Sequence, residues 1–351
     1  MVRTRLILRL AGLTLLATLL GACDMVDADQ GFIKGISYAG YTPNVYATST
    51  SDRLVAQLAT TGANWLVVIP QWYQDDLQST QIGPRANQSP SDASVRHLIQ
   101  FAHGLGLKVM LKPFDDPENG AWRARIHPGD WPAWFRSYTK FIEHYADLAQ
   151  AEHCEALTVG VEYSSSDASH TAQWREVIRK VRSRFSGLLT YAADWPQYRK
   201  IGFWQDLDAI GIDAYFPLSG QRQPSLTALR LGWIPWMRQI TRYLRAYPKK
   251  RVIFTEIGYA SRQGAAADPS QYAKAAPPDP GLQARLYQSV FDTVYHEPWL
   301  IGLCWFWWDN PSVPDYPAGP RDVGFTPRGK PAEAILRENF RADRKVFTHA
   351  L

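Results

Sequence analysis

The chain has 351 residues, 46% of them hydrophobic, and a formal charge of +5, which is enough material for one large core and too little charge, too evenly spread, to point to nucleic acid. It has only three cysteines. None has the Cys or His spacing of a zinc site, so neither a disulfide framework nor a structural metal is expected to organise the fold.

At the start of the chain, Arg3, Arg5 and Arg9 precede an apolar run from Leu10 to Leu20, the layout of a secretory signal. The run falls short of the roughly 20 apolar residues a membrane span requires, so residues 1–22 are expected to be cleaved. Leu20-Gly21-Ala22-Cys23 resembles the bacterial lipobox, in which the cysteine becomes the lipidated first residue of the mature protein. On that reading Cys23 carries lipid, residues 23–30 form a short tether, and the protein is an exported cell-envelope lipoprotein, on the periplasmic side of a membrane or at the cell surface. Residues 31–351 then form one catalytic unit with a C-terminal tail.

Within that unit, apolar and β-branched runs fall at 31–38, 63–70, 107–114, 155–162, 187–193, 207–216, 251–258 and 300–307. Amphipathic stretches separate them at 51–61, 91–104, 131–150, 170–185, 198–205, 226–246 and 281–296, and a last one covers 331–340. Eight alternating units predict right-handed crossovers and a single (β/α)8 TIM barrel. A doubly wound sheet would place a glycine-rich phosphate turn after its first strand, but the turn here reads YAGYTPN. Cys154 and Cys304, near or within predicted strands, are expected to be buried free thiols.

In such a barrel the chemistry sits at the carboxyl ends of the strands. Those ends carry Tyr38 and Tyr41, Gln71 and Trp72, Lys112 with Asp115 and Asp116, Glu162, Asp194 and Trp195, Asp213 and Tyr215, Glu256, and Trp305 to Asp309. The chain has 14 Trp and 17 Tyr, and their crowding at strand ends fits a sugar-binding surface better than packing alone. Glycoside cleavage with retention needs two carboxyl groups about 5 to 5.5 Å apart, one to attack the anomeric carbon and one to protonate the leaving oxygen. Glu162 and Glu256 end the fourth and seventh strands, which face one another across the barrel.

These strings resemble glycoside hydrolase family 113, a family of β-1,4-mannanases within the retaining β/α-barrel clan. The matching segments include VMLKP (109–113), WRARI (122–126), LTVGVE (157–162), LLTYAADW (188–195), LDAIGIDAYFPL (207–218), FTEIGY (254–259) and CWFWWDN (304–310). The resemblance implies that Glu162 is the acid/base and Glu256 the nucleophile, and that Tyr215 hydrogen-bonds the nucleophile. It also implies an aromatic floor from among Trp305, Trp307 and Trp308; strand alternation puts Trp305 and Trp307 on one side and Trp308 on the other. Lys112 and Asp115 would bind sugar hydroxyls at the loop ends, with Tyr38, Trp72, Trp195 and Asp213 as further substrate contacts. The sequence departs from the clan at two points: Val161 stands where most members have an asparagine before the acid/base, and Phe114 stands where related sequences carry histidine.

No cofactor or metal is expected, because no His-x-x-x-His accompanies Asp115 and Asp116, and no G-x-S-x-G elbow points to an esterase. The expected substrate is a polysaccharide or oligosaccharide of β-linked hexosides, handled by a monomer. Two other outcomes use the same barrel: a non-catalytic carbohydrate-binding protein of the envelope, and a transglycosylase in which sugar intercepts the covalent intermediate.

Overall fold

Each predicted strand supplies one stave of a closed parallel barrel in the computed structural model, which describes residues 25–27, 31–271, 275–309, 311, 319 and 321–348. The strands are β1 (Ile33–Ala39), β2 (Trp65–Ile69), β3 (Lys108–Leu111), β4 (Ala156–Val161), β5 (Leu188–Asp194), β6 (Ile210–Asp213), β7 (Val252–Ile257) and β8 (Leu300–Trp305). They pair in chain order, and β8 closes on β1. Residues 1–22 and Cys23 lie outside the described residues. Among the described residues no helix is long and apolar enough to cross a membrane.

Seven α-helices among the described residues cover the barrel: α1 (Ser49–Ala59), α2 (Asp92–Gly104), α3 (Trp131–Ala151), α4 (Thr171–Arg182), α5 (Leu226–Leu244), α6 (Pro280–Phe291) and α7 (Pro331–Arg341). Their starts follow from sequence. Thr48, Ser91, Asp130, Ser225 and Asp279 each accept a backbone N–H of the first turn on a side-chain oxygen, which satisfies a donor the helix leaves free. The α3 residues Trp134, Tyr138, Phe141 and Tyr145 recur at helical spacing and are buried against the barrel.

Two connections differ from the sequence reading. Between β5 and β6 the predicted helix near 198–205 is absent, and two 3-10 turns, Tyr198–Lys200 and Trp204–Asp206, take its place in a short segment interrupted by Gly202. The predicted run 107–114 also splits. Pro113, which has no N–H to donate, separates β3 from a second extended piece, Phe114–Pro117, which pairs in parallel with Gln71–Gln74 above the barrel. A further antiparallel pair joins Met25–Asp27 to Lys345–Phe347.

The barrel interior is layered, as the fold requires. Ile33, Trp65, Val67, Met110, Ala156, Ala209, Ile253 and Cys304 plug the end where the strands begin. Above them, Ser37, Thr158, Thr190, Thr255, Lys112 and Asp213 are buried polar residues. Cys154 and Cys304 are both free and buried.

Candidate active site

The polar layer opens at the carboxyl ends of the strands into a cleft containing Glu162 and Glu256. Neither glutamate arrives by simple alternation. In β7, Val252, Phe254 and Ile257 pack toward the helices and Ile253 faces the interior, while Thr255 and Glu256 both bond to interior groups. The pairing of β7 with β6 shifts register between Phe254 and Glu256, so a bulge turns the glutamate inward. A second register shift lies between Thr158 and Val161 of β4. Just beyond it, Glu162 has φ 55, a left-handed conformation that costs a non-glycine residue about 1–3 kcal/mol and tends to collect at functional sites. Hydrogen bonds hold it there, from Glu162 N to the Ala192 carbonyl at 2.8 Å and from Tyr163 N to the Tyr191 hydroxyl oxygen at 2.9 Å.

Glu256 is gripped by two donors. The Lys112 ammonium donates to Oε1 at 2.6 Å, and the Tyr215 hydroxyl donates to Oε2 at 2.6 Å. Lys112 also donates to Asp213 at 3.1 Å, and Thr255 donates to the same Asp213 oxygen at 2.8 Å. Burial alone would pull the lysine's pKa down, but Asp213 and Glu256 outweigh it and hold the ammonium charged. Burial, then the charge on Glu256, pushes Asp213 well above the usual carboxylate range despite Lys112.

Glu162 sits in a different field. The Trp122 indole donates to its Oε2 at 3.1 Å, and the Arg123 guanidinium stands 3.6 Å from the same oxygen. Burial first, and then the negative charge of Glu256, raises Glu162 to about 7; Asp194 adds to the rise, while Arg123 and Trp122 oppose it. Asp194, raised to about 7 by burial and by Asp213, lies close enough to act on Glu162 and to feel Glu256. A carboxyl that keeps its proton near neutrality, opposite one held between an ammonium and a phenol, is the asymmetric pair that acid-assisted displacement needs.

Arg123 and Trp122, not singled out as site residues from the sequence, are part of this arrangement. Arg123 is fixed by a two-pronged bond to Asp116 at 2.7 and 2.9 Å, and Gln71 also donates to Asp116. Its guanidinium lies 3.9 Å from the centre of the Phe114 ring, and Lys112 lies 5.7 Å from the same ring. Phe114 and Val161, the two departures, belong to one apolar patch with Ala39, Ile69 and Ala192, flanked by Tyr41, Phe306 and Trp307. The WRARI segment was the available signal for Arg123, but nothing in the string shows which of its two arginines turns inward.

Several sequence expectations need correction. Tyr38 shares the face of Ile36 and points toward the helices, where it donates to Ser51 at 3.1 Å. Trp305 likewise shares the outward face of Leu303 and stacks on Tyr287 at 3.7 Å. Trp72 packs against Phe141, His144 and Tyr145 of α3. Asp115 is wholly buried, on the side where its charge acts on Tyr138 and Tyr163. Lys112 and Asp213 are fully buried; Lys112 holds Glu256 and Asp213 holds Lys112, rather than either binding sugar hydroxyls. Pairing of β8 ends at Trp305 and the Phe306–Trp307 peptide is cis; Trp307 is partly buried beside Tyr215, the residue that bonds Glu256, while Trp305 and Trp308 are both in the core. Trp195, Phe306 and Trp307 surround Tyr215 and Phe325 as one aromatic wall. Among the described residues no group of His, Cys, Asp and Glu is placed to hold a metal.

An eight-stranded parallel barrel with paired glutamates and an aromatic wall at its carboxyl mouth has the architecture of a barrel glycoside hydrolase. The profile of glycoside hydrolase family 113 matches residues 37–330, and the chain belongs to that family. A solved family 113 β-1,4-mannanase superimposes with a TM-score of 0.81 at 28% identity, covering 89% of this chain and 100% of that one. The family 113 β-mannanase of Alicyclobacillus acidocaldarius gives 0.80 at 29% identity, covering 89% and 98%. A GH5_18 protein from Streptomyces cattleya, at 16% identity and a TM-score of 0.58 over 88% and 80% of the two chains, shares the fold alone. No curated protein matches the sequence. The protein is thus a glycoside hydrolase of the endo-β-mannanase type.

The opposite placement of two tryptophans generates a test. Trp307→Ala should raise KM roughly tenfold, the loss of about 1.4 kcal/mol of contact, with little change in unfolding midpoint. Trp305→Phe should leave KM unchanged and lower stability by about 1–2 kcal/mol. Kinetics and denaturant unfolding on both variants read the two effects, and a KM change in the Trp305 variant alone would reverse the placement.

Proposed function

We propose that this protein is a retaining β-1,4-mannanase, active on mannan or manno-oligosaccharides, and that it works at the cell envelope on a lipid attached to Cys23. The observation that carries the catalytic part is the pairing of Glu256, bound by Lys112 and Tyr215, with Glu162, whose proton is retained to about pH 7. The substrate rests on the family and on solved relatives described as β-1,4-mannanases. The anchor rests on Leu20-Gly21-Ala22-Cys23 following an apolar run.

In the first step a Glu256 oxygen attacks the anomeric carbon while Glu162 gives its proton to the departing glycosidic oxygen. As the ester forms, Glu256 loses its charge and with it one of the influences keeping Glu162 protonated. Glu162 then takes a proton from water, which attacks the same carbon and releases Glu256. Tyr215 and Lys112 return the carboxylate to its starting hydrogen bonds. Trp307 and Trp195 supply apolar faces against which a pyranose ring can lie.

Glu162→Gln and Glu256→Gln should each cut hydrolysis of β-mannan by at least about 10³-fold, and azide should restore turnover to Glu256→Ala with inversion at the anomeric carbon. Unchanged turnover in either glutamine variant would remove that residue from the mechanism. The kcat/KM of the parent should fall as pH rises through about 7, where Glu162 loses the proton it must donate. Replacing Arg123 by Gln removes a cation that favours the ionised form, so this fall should move to higher pH; a shift downward contradicts the assignment. Fatty acid fed to cells should label the parent and not Cys23→Ser, and equal labelling would place the lipid elsewhere.

A further inference from the structure

The absent helix between β5 and β6 leaves one side of α5 uncovered. The two 3-10 turns that replace it are too short to cover that side, and a groove of about 470 Å³ remains, lined by Arg199, Pro235, Arg238, Gln239, Arg242 and Tyr243. Tyr198 fixes its base, accepting from Gln239 at 3.1 Å on its hydroxyl and from Tyr243 at 3.3 Å on its carbonyl. Among the described residues none of the three guanidinium groups meets a carboxylate. The neighbouring helix is the control: Arg175, Arg179, Arg182 and Arg184, on or just after α4, are each paired with an acid.

The local sequence explains the difference. From Ala214 to Thr255 there is no acidic residue, yet the segment holds Arg222, Arg230, Arg238, Arg242, Arg245, Lys249, Lys250 and Arg251. The modest net charge of the whole chain conceals this run. Leu231, Pro235, Arg238, Arg242 and Arg245 follow one another at spacings of four and three, which sets them on one stripe of α5. Leu231, at its head, is 53% exposed. The stripe descends toward the end of the barrel where β7 begins, opposite the catalytic mouth, and Lys249, Lys250 and Arg251 continue it there. All eight strands begin at that end, β1 included.

We infer that this flank of α5 is a docking surface for a membrane containing anionic phospholipid, with Arg199, Arg238 and Arg242 taking lipid phosphates. Planar guanidiniums match phosphate oxygens two at a time, and clustered basic residues are drawn to an anionic leaflet within a Debye length of it. The exposed leucine on the same stripe favours a bilayer over a soluble polyanion, since it has apolar depth to enter. Seven residues lie between Cys23 and Gly31, and Met25–Asp27 among them pairs with Lys345–Phe347, which would hold a lipid-tethered barrel close enough for this flank to engage. The orientation rests on the proposed anchor; the arginine surface does not.

The test uses residues 24–351 with Cys23 omitted, a span that contains the whole barrel and corresponds to the full length of solved relatives. Sedimentation with vesicles of phosphatidylcholine alone, or with three parts in ten phosphatidylglycerol, should show at least tenfold stronger binding to the anionic vesicles, lost at 0.5 M salt. Replacing Arg199, Arg238 and Arg242 together by Ser should abolish that difference while hydrolysis of soluble substrate and the melting temperature stay as in the parent. If the triple variant does not fold, the three Arg→Lys changes should retain part of the binding. Equal binding of parent and Ser variant to both vesicles overturns the inference, as does a soluble acidic polysaccharide that binds the groove more tightly than the vesicles do. Because no acyl group is present, failure here would leave the Cys23 anchor and the mannanase reading standing.

Discussion

Taking the Lys112 ammonium out of water costs several kcal/mol, and its contacts with Glu256, Asp213 and the Thr255 carbonyl make the position tenable. The dependence runs both ways. Glu256, Asp213, Glu162 and Asp194 crowd four carboxyl groups around the top of the barrel, and Lys112 and Arg123 are the cations acting from within it. Two positive groups do not balance four ionised acids. Burial first, and then the crowding of like charges, raises Glu162 and Asp194 to about 7 and pushes Asp213 well above the usual carboxylate range. The chemical asymmetry of the two glutamates is thus a distribution problem: Lys112 is committed to one of them, and the other keeps a proton.

Phe114 keeps the two cations apart. Its ring has Arg123 against it at 3.9 Å and Lys112 at 5.7 Å, and its negative face is compatible with both. A titratable ring in its place would add a third potential cation between them. The carbon ring therefore lets Lys112 answer to Glu256, and Arg123 to Asp116 and Glu162, without a further proton to distribute.

The alternation of strands and helices made the barrel legible before any coordinates, because eight amphipathic spacers between eight apolar runs leave few other ways to bury both sides of the sheet. The paired glutamates were legible for a related reason, each ending an apolar strand. Alternation speaks against Tyr38 and Trp305 as cleft residues: each lies two residues from an outward aliphatic, Ile36 and Leu303. The opposite error was possible at Glu256, where strict alternation from Val252 and Phe254 would have sent the carboxylate outward. A bulge reverses that outcome, and a bulge leaves no dependable mark in a single sequence. At Lys112 the sequence shows a basic residue at a strand end without showing that two acids, from β6 and β7, enclose it.

The apolar patch beside the acid has a consequence for selectivity. Ala39, Ile69, Phe114, Val161 and Ala192 present neither donor nor acceptor side chains to the cleft floor. A surface of that kind excludes by shape, and shape alone separates ligands that differ by one hydroxyl by only about 10²-fold, whereas a site with an unsatisfied polar partner reaches about 10⁴ to 10⁵. Discrimination between epimeric sugars must then fall to the polar groups on the other wall, Asp194 and Tyr215 among them.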